Sequence, residues 1–398
     1  MSRYARGKEP YAPKMEHVEV PESHVRLRAI LFVLAILLAV VAFGFGLNSL
    51  LTPETGWKAV EASGSNSGEI TLQYNYGAGA QGTAAERRQV SDVYSTALTQ
   101  AEQQLSQAGN NTVSLYTVST NPNQTVTVEP ILYRALERFC ATGSRAIYYG
   151  PLYSRYYALF ASQYDEAAAE YDPARSSDAG AFAAQIAAFA QNPDQIDLEL
   201  LGENQVRLNV GKEYLAYARE NELDTLLDFG FVKNAFVIDA VADALTDAGL
   251  TEAVLTSTDG FSRSLCQGSF GVNLLEATDS GCRQAAAAAY NGPRSVAALR
   301  AFPVDSGDAL RFYTYEDGTV CPPVLDETTG LLTAANDNLV LFGDGSVGDL
   351  ALQAMQALSH WDLEGLSCLY SRENAVYCTD NKTVEVSQLF AGVTLIRE

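Results

Sequence analysis

A single mixed α+β domain over residues 70–398, carried behind one membrane-spanning helix, is the architecture this sequence predicts. Three observations predict it. Through much of the first half, apolar residues recur at helical spacing; past Asp259 they fall in short runs separated by turn residues; and residues 29–47 form one unbroken apolar stretch that extends to Leu51. With 398 residues, 47% hydrophobic content and 13 prolines, the chain can bury a sizeable core and is not compositionally disordered. No repeat at solenoid or propeller period is present.

The apolar stretch AILFVLAILLAVVAFGFGL begins at Ala29 and carries no charge; extended to Leu51 it makes a helix of roughly 34 Å, enough to cross a bilayer. It exceeds the apolar core of a cleavable signal peptide, and no clear A-x-A site follows it, so an uncleaved anchor is the preferred reading. Arg3, Arg6, Lys8, Lys14, Arg26 and Arg28 all precede it and Lys58 is the next basic residue, which places residues 1–28 in the cytoplasm and everything past Thr52 outside the cell membrane. The formal net charge is -22; residues 1–28 hold those six basic groups against four glutamates, so the remainder carries about -24. Such a surface repels nucleic acid.

Residues 52–69, with their EASGSNSGE segment, read as a flexible tether. Ile70, Leu72 and Tyr74 alternate as a strand. Thr83 with Glu86 matches a capping box ahead of a helix whose Val90, Tyr94, Ala97, Leu98, Ala101 and Leu105 share a face. A second helix starts at Glu129-Pro130, with Ile131, Leu132, Ala135, Leu136 and Phe139 inward. The tyrosine-rich AIYYGPLYSRYYALFASQY reads as amphipathic packing, with stacking on an aromatic ligand as its alternative. Ala181 to Ala190 is helical and Gln205 to Val210 a strand. The stretch Glu222 to Gly260 reads as one βαβ unit: a strand, the turn Asp228-Phe229-Gly230, an amphipathic helix ending at Gly249, a buried strand from Ala253, and an acidic turn at Asp259. Short runs at 296–302, 310–315, 338–342, 375–378 and 393–396 follow, interrupted by a helix from Leu350 to Leu358.

Histidine is scarce. His17 and His24 lie in the N-terminal tail, which leaves His360 alone in the external part and argues against a histidine-based triad or metal site. The string Gly343-Asp344-Gly345-Ser346-Val347-Gly348 matches G-x-G-x-x-G, but the turn-rich SCLYSRENAVYC after its helix argues against a dinucleotide-binding βαβ unit. A phosphate could still sit at that helix start if a cation offset Asp344. Asp349, with Gln353 one turn later on the same face, offers a hard-ligand pair of the kind magnesium accepts, and an aspartate stabilised by the helix dipole explains Asp349 equally well. Six cysteines (140, 266, 282, 321, 368, 378) lie in the external part; short separations suggest bridges between Cys368 and Cys378 and between Cys266 and Cys282, against buried free thiols.

The turn Asp228-Phe229-Gly230, Asp239 eleven residues later and Asp259 closing the next strand resemble the central motif of the FAD:protein FMN transferases, the ApbE family, D-[LF]-G-G-I-A-K-G-Y-A-V-D followed by G-G-D. Ser306-Gly307-Asp308 is similar to the family's S-G-D-Y segment, Asp326-Glu327-Thr328-Thr329-Gly330 to its D-P-x-T-G loop, and Gly348-Asp349 to its A-D-A-x-x-T helix start, all in order. The resemblance covers nearly the whole external part. It implies binding of FAD and magnesium outside the membrane and transfer of FMN to a threonine of an acceptor protein, with AMP leaving; phosphoryl-transfer logic then has a metal neutralise the pyrophosphate and a base take the hydroxyl proton. Carried across, Asp259 and Asp326 take catalytic places; Asp228, Gly230, Lys233, Asn234, Asp239, Gly307, Thr329 and Gly330 fall at cofactor-binding positions; Asp349 and Gln353 fall at the metal. Departures accompany these matches. Phe231 replaces the second glycine, Asn234 aligns with the motif lysine while Lys233 stands one place early, roughly 100° around a helix, Pro323 replaces a histidine, Gln353 a threonine, and Ser257-Thr258 the G-G before Asp259. Several such losses imply a degenerate site that keeps the fold to bind a flavin nucleotide or a partner protein; an active transferase is the alternative.

Overall fold

Ile70, Leu72, Tyr74 and Tyr76 turn the period-two pattern into strand β2 (Ile70–Tyr76), with all four inward side chains buried. In the computed structural model, which describes residues 55–62, 68–77, 83–109, 112–278 and 281–360 and the strands at 374–378, 384–386 and 393–397, β2 lies between β1 (Gly56–Val60) and β6 (Ala253–Ser257), antiparallel to both. The expected tether therefore contains a strand: Trp57 to Val60 pair residue for residue with Asn75 to Leu72, giving the edge of the sheet a backbone partner that a composition rich in Ser and Gly concealed. The N-terminal tail and the apolar stretch fall outside the described residues. Among the described residues no helix is long and apolar enough to cross a membrane.

The large sheet is antiparallel at every pairing. From β6 it continues through β7 (Phe261–Thr278), β8 (Gly281–Arg300), β11 (Asn338–Gly343), β12 (Asn374–Cys378) and β13 (Val384–Val386), with β14 (Val393–Arg397) on the other stretch of β8. The 18-residue β7 and 20-residue β8 form one long hairpin where short separate runs were expected. Ala286, Ala288 and Tyr290 point inward from β8 and join Leu274, Val296, Val340 and Phe342 in a second small core. A separate three-stranded sheet runs β3 (Thr125–Thr127), β5 (Gln205–Val210), β4 (Ile196–Gly202), and β9 (Tyr313–Thr314) pairs antiparallel with β10 (Val320–Cys321).

Helices cover one side of the large sheet. In α1 (Thr83–Gln104) the predicted stripe from Val90 to Ala101 is buried, with Leu105 buried just past its end, but Glu86 reaches to the Tyr74 hydroxyl (3.2 Å) and the Gly77 amide (3.0 Å), tying the helix start to β2. A short α2 (Leu115–Thr120) follows. Then α3 (Pro130–Thr142) begins on its proline and ends at Gly143 in the left-handed conformation. The tyrosine-rich stretch forms a 3-10 turn (Ala146–Tyr149) and α4 (Gly150–Phe160), with Tyr148, Tyr149, Tyr153 and Tyr156 buried as packing residues. After α5 (Asp165–Ala169) comes α6 (Ser177–Ala190), started by the Ser176 side chain, and α7 (Lys212–Glu220) follows the small sheet.

The central unit lacks its expected first strand. Leu226, Leu227 and Phe229 are buried, yet their segment pairs with no strand: the Ser119 hydroxyl accepts from the Leu226 and Leu227 amides, and the Asp228 amide donates to the Ile147 carbonyl at 2.9 Å. A 3-10 turn (Gly230–Val232) then leads into α8 (Lys233–Asp247), which packs beside α9 (Val347–His360). β11, which feeds α9, is antiparallel to both neighbours, so the glycine string belongs to no parallel βαβ unit.

Candidate functional site

At the first turn of α8 the chain lines a cleft of about 260 Å³. Gly230, Phe231, Lys233 and Asn234 form one wall; Asp259 and Glu69 stand beside them; Leu299, Arg300, Leu310, Arg311 and Phe312 form the second wall; Tyr157, Pro323, Val324 and Met355 complete it. Gly230 is required here. Its φ is +58°, and a Cβ on it would sit 2.1 Å from the Tyr153 ring. Phe231 packs edge-on against Tyr153 and Tyr157, with ring centroids 5.1 and 6.1 Å away. It fills the position where the expected second glycine would let backbone approach a ligand.

Lys233 and Asn234 both face the cleft, although they are adjacent in the helix, because the cavity wraps around the helix start. The Asn234 amide nitrogen donates to Asp259 Oδ2 (2.9 Å) and to Glu69 Oε2 (3.1 Å). Asp259 Oδ1 is enclosed and accepts from nothing among the described residues. Burial pushes the Asp259 carboxyl up to about 6, against the opposing pull of Ser257, Arg311 and Asn234. Lys233 makes no hydrogen bond or ion pair among the described residues, although its charge acts on Asp228.

Arg300 and Arg311 were not legible as site residues. They converge because Asp308, buried in the 3-10 turn Ser306–Asp308, holds both: Arg300 bonds its two carboxylate oxygens at 2.6 and 2.8 Å, and Arg311 bonds Oδ1 at 2.7 Å. Burial raises the Asp308 carboxyl, but the arginines and the Val304 amide overcome it and hold the group down to about 2. Gly307 does not line the cleft; its amide donates to Asp305 and shapes this turn.

The other sequence-predicted residues lie elsewhere. Asp228 sits behind the cleft wall, with Oδ1 accepting from the Gly230 amide at 2.9 Å. Asp239 is buried at the start of α9, accepting from the Val347 amide (3.0 Å), the Gly348 amide (2.9 Å) and the Ser346 hydroxyl, and pairing with Arg263 at 2.6 Å. The anion place at this helix start is therefore filled by a carboxylate of the protein itself. A Cβ on Gly348 would come within 2.8 Å of Phe236 and 3.1 Å of Asp239, so the glycine admits that contact. Asp326 spends its oxygens on the Thr328 amide (2.7 Å), the Thr329 hydroxyl (2.6 Å) and His360 (3.2 Å), and the Tyr156 hydroxyl donates to the Gly330 carbonyl. This loop is clasped against α4 and stays off the cleft.

Asp349 and Gln353 are one turn apart on α9 and outside the cleft lining. Asp349 Oδ1 and Gln353 Oε1 are both buried without a hydrogen-bond partner among the described residues. Burial and the nearby Asp239 raise the Asp349 carboxyl. Two orphaned oxygens fit part of a hard-cation shell, although no cluster of three His, Cys, Asp or Glu side chains occurs among the described residues. Cys140, Cys266, Cys282 and Cys321 are free, which corrects the expected Cys266–Cys282 bridge. β7 and β8 share one ladder, but Cys282 pairs with Ala277 near the hairpin tip while Cys266 lies near the Ser264–Arg294 end, too far along to join. The expected Cys368–Cys378 bridge falls outside the described residues.

An antiparallel sheet covered by helices on one side, with a cleft at the first turn of a helix following an Asp-Phe-Gly segment, defines an ApbE-like fold. Solved structures place it there: the ApbE protein of Thermotoga maritima aligns with a TM-score of 0.57 at 11% identity, over 84% of this chain and 97% of that one. The flavin transferase ApbE of Vibrio cholerae aligns at 0.54 and 14% identity, over 83% and 98%. The flavinyl transferase ApbE of Pseudomonas stutzeri, in its apo form, aligns at 0.50 and 12%, over 86% and 94%. A scan against protein families and a search of curated proteins find no match.

Proposed function

We propose that this protein is a membrane-anchored, extracytoplasmic ApbE-like domain that binds a flavin nucleotide in the Lys233–Arg311 cleft, or a partner protein over it, without transferring FMN. One observation carries the reading: Lys233, Arg300 and Arg311 gather at one cleft in a part of the chain whose net charge is strongly negative, while Pro323 on the same wall offers no proton-transfer group. The single external histidine, His360, is turned to Asp326 and Thr328 instead. Residues 29–51 would be the anchor and residues 1–28 the cytoplasmic tail, a topology supported by the basic residues preceding the apolar stretch.

A second reading, a magnesium-dependent transferase that attaches FMN from FAD to a threonine of an acceptor protein, draws support from the orphaned oxygens of Asp349 and Gln353. Magnesium held by them would neutralise phosphate charge. The test is calorimetry of full-length protein in detergent with FAD, with and without magnesium, followed by an AMP-release assay with a threonine-bearing acceptor. Binding without AMP release is expected. Magnesium-dependent release that disappears in Asp349→Ala would restore the enzyme, and no heat with millimolar FAD or FMN would leave the partner-binding form.

A further inference from the structure

Resting on the nucleotide-binding reading, we propose that the cleft is built for a mononucleotide, with Asp259 accepting an N–H from the ring and Arg311 taking the phosphate. Size is the first argument. Pockets that enclose drug-sized ligands span roughly 300–1,000 Å³, and the cleft, at about 260 Å³, falls just below that range, which favours one ring system with one phosphate over a dinucleotide.

The distribution of free donors is the second. Arg300 is committed, giving both terminal nitrogens to Asp308 and one also to the Phe302 carbonyl at 3.1 Å. Arg311 gives a single nitrogen to Asp308 and keeps its other guanidinium donors, and it lies near enough to Asp259 to draw down that carboxyl. Lys233 supplies a second uncommitted cation on the facing wall. Two cations with spare donors suit one phosphate group.

The acceptor is the third. An enclosed carboxylate oxygen without a donor is unfavourable, and Asp259 Oδ1 is in that state while Oδ2 is fixed by Asn234. The missing donor is therefore expected from the ligand. Tyr157 and Phe312 give the cleft flat apolar sides, and Leu310, 73% exposed, forms its lip, so the group that carries the donor is a ring. A phosphate, a flat ring and an N–H acceptor together specify a mononucleotide of the FMN or AMP kind.

The experiment is calorimetry of the full-length protein in detergent with FMN, N3-methyl-FMN, riboflavin, AMP and FAD. FMN or AMP should bind at least tenfold tighter than FAD. If FMN is the ligand, blocking its N3–H or removing its phosphate should each cost at least tenfold. Asp259→Ala should abolish the N3-methyl discrimination and Arg311→Ala the phosphate discrimination. Asp259→Asn, which keeps the side-chain shape, is measured alongside with a thermal melt, so that misfolding is not read as lost recognition. FAD binding as tightly as either mononucleotide, or N3-methyl discrimination that survives in Asp259→Ala, overturns this inference and leaves nucleotide binding standing. No binding of FMN, AMP or FAD overturns both.

Discussion

Replacing Asp228 by asparagine should stabilise the fold at neutral pH. The carboxylate is 2% exposed, its Oδ1 accepts from the Gly230 amide, and its Oδ2 is enclosed without a partner. Burial pushes the group up to about 6, with the Gly230 amide and Lys233 only partly opposing it. Against an unfolded value of about 3.9, that displacement corresponds to about 3 kcal/mol lost from the folded state when the group is charged. The sign follows from the raised value: the folded state binds the proton more tightly, so this group's favourable contribution is complete below about pH 4 and is lost as pH rises through about 6. Asparagine keeps the Oδ1 acceptor and the shape but leaves an amide nitrogen to be satisfied, at about 1–3 kcal/mol, so the expected net gain at pH 7 is about 1 kcal/mol. Urea unfolding followed by near-ultraviolet dichroism at pH 7.5, 6 and 4.5 measures it. The wild type should gain stability over that descent, less steeply in the variant, where Asp259 and the raised Asp349 still titrate; Asp308, held to about 2, adds no slope there. A wild type that loses stability between pH 7.5 and 6, or a variant weaker by 1 kcal/mol or more at pH 7.5, would refute the reasoning.

Gly230→Ala combines a left-handed backbone with a Cβ placed 2.1 Å from the Tyr153 ring, and should cost about 3 kcal/mol or more in thermal unfolding; a loss under 1 kcal/mol would mean the turn relaxes freely. Asp239→Ala removes the acceptor for two amides at the start of α9 and strands Arg263, with an expected cost of about 3–5 kcal/mol; an unchanged melting curve would contradict the capping role. Cys266 and Cys282 should both be alkylated after denaturation without reductant, and a peptide carrying both as a bridge would contradict their separation. Protease added to intact cells should digest the domain, and protection until the membrane is broken would reverse the proposed topology.

The helices were legible because burial enforces their spacing: Val90, Tyr94, Ala97, Leu98 and Ala101 are buried as read, and helices start at Pro130 and cover the Ala181 to Ala190 run where expected. The long hairpin was not. Ala285 to Ala289 looks like helix former, and its strand identity comes from burial of every second residue between β7 and β14. The apolar Leu226 to Phe229 segment failed as a strand for the opposite reason, since side-chain and loop partners satisfy its backbone without a ladder. At the site, Asp259, Asn234 and Lys233 could be named only through the resemblance to the family motif. Arg300 and Arg311 could not, because a third residue, Asp308, brings them together; the Asp308 to Arg311 spacing was the one trace of it in the sequence.

The pairing of Leu72 with Leu255 has a consequence for how the chain acquires its shape. β1 and β2 are synthesised ahead of the helical portion, yet the strand that completes their side of the sheet comes only after the whole stretch from α1 to α8. Closure of so long a loop is entropically slow, and β2 has an open edge until it happens. The helical portion therefore matures as an insert between two halves of a sheet that joins late. A chain interrupted anywhere before Ala253 would leave β2 without that neighbour, so partial translation products are natural substrates for proteolysis and quality control.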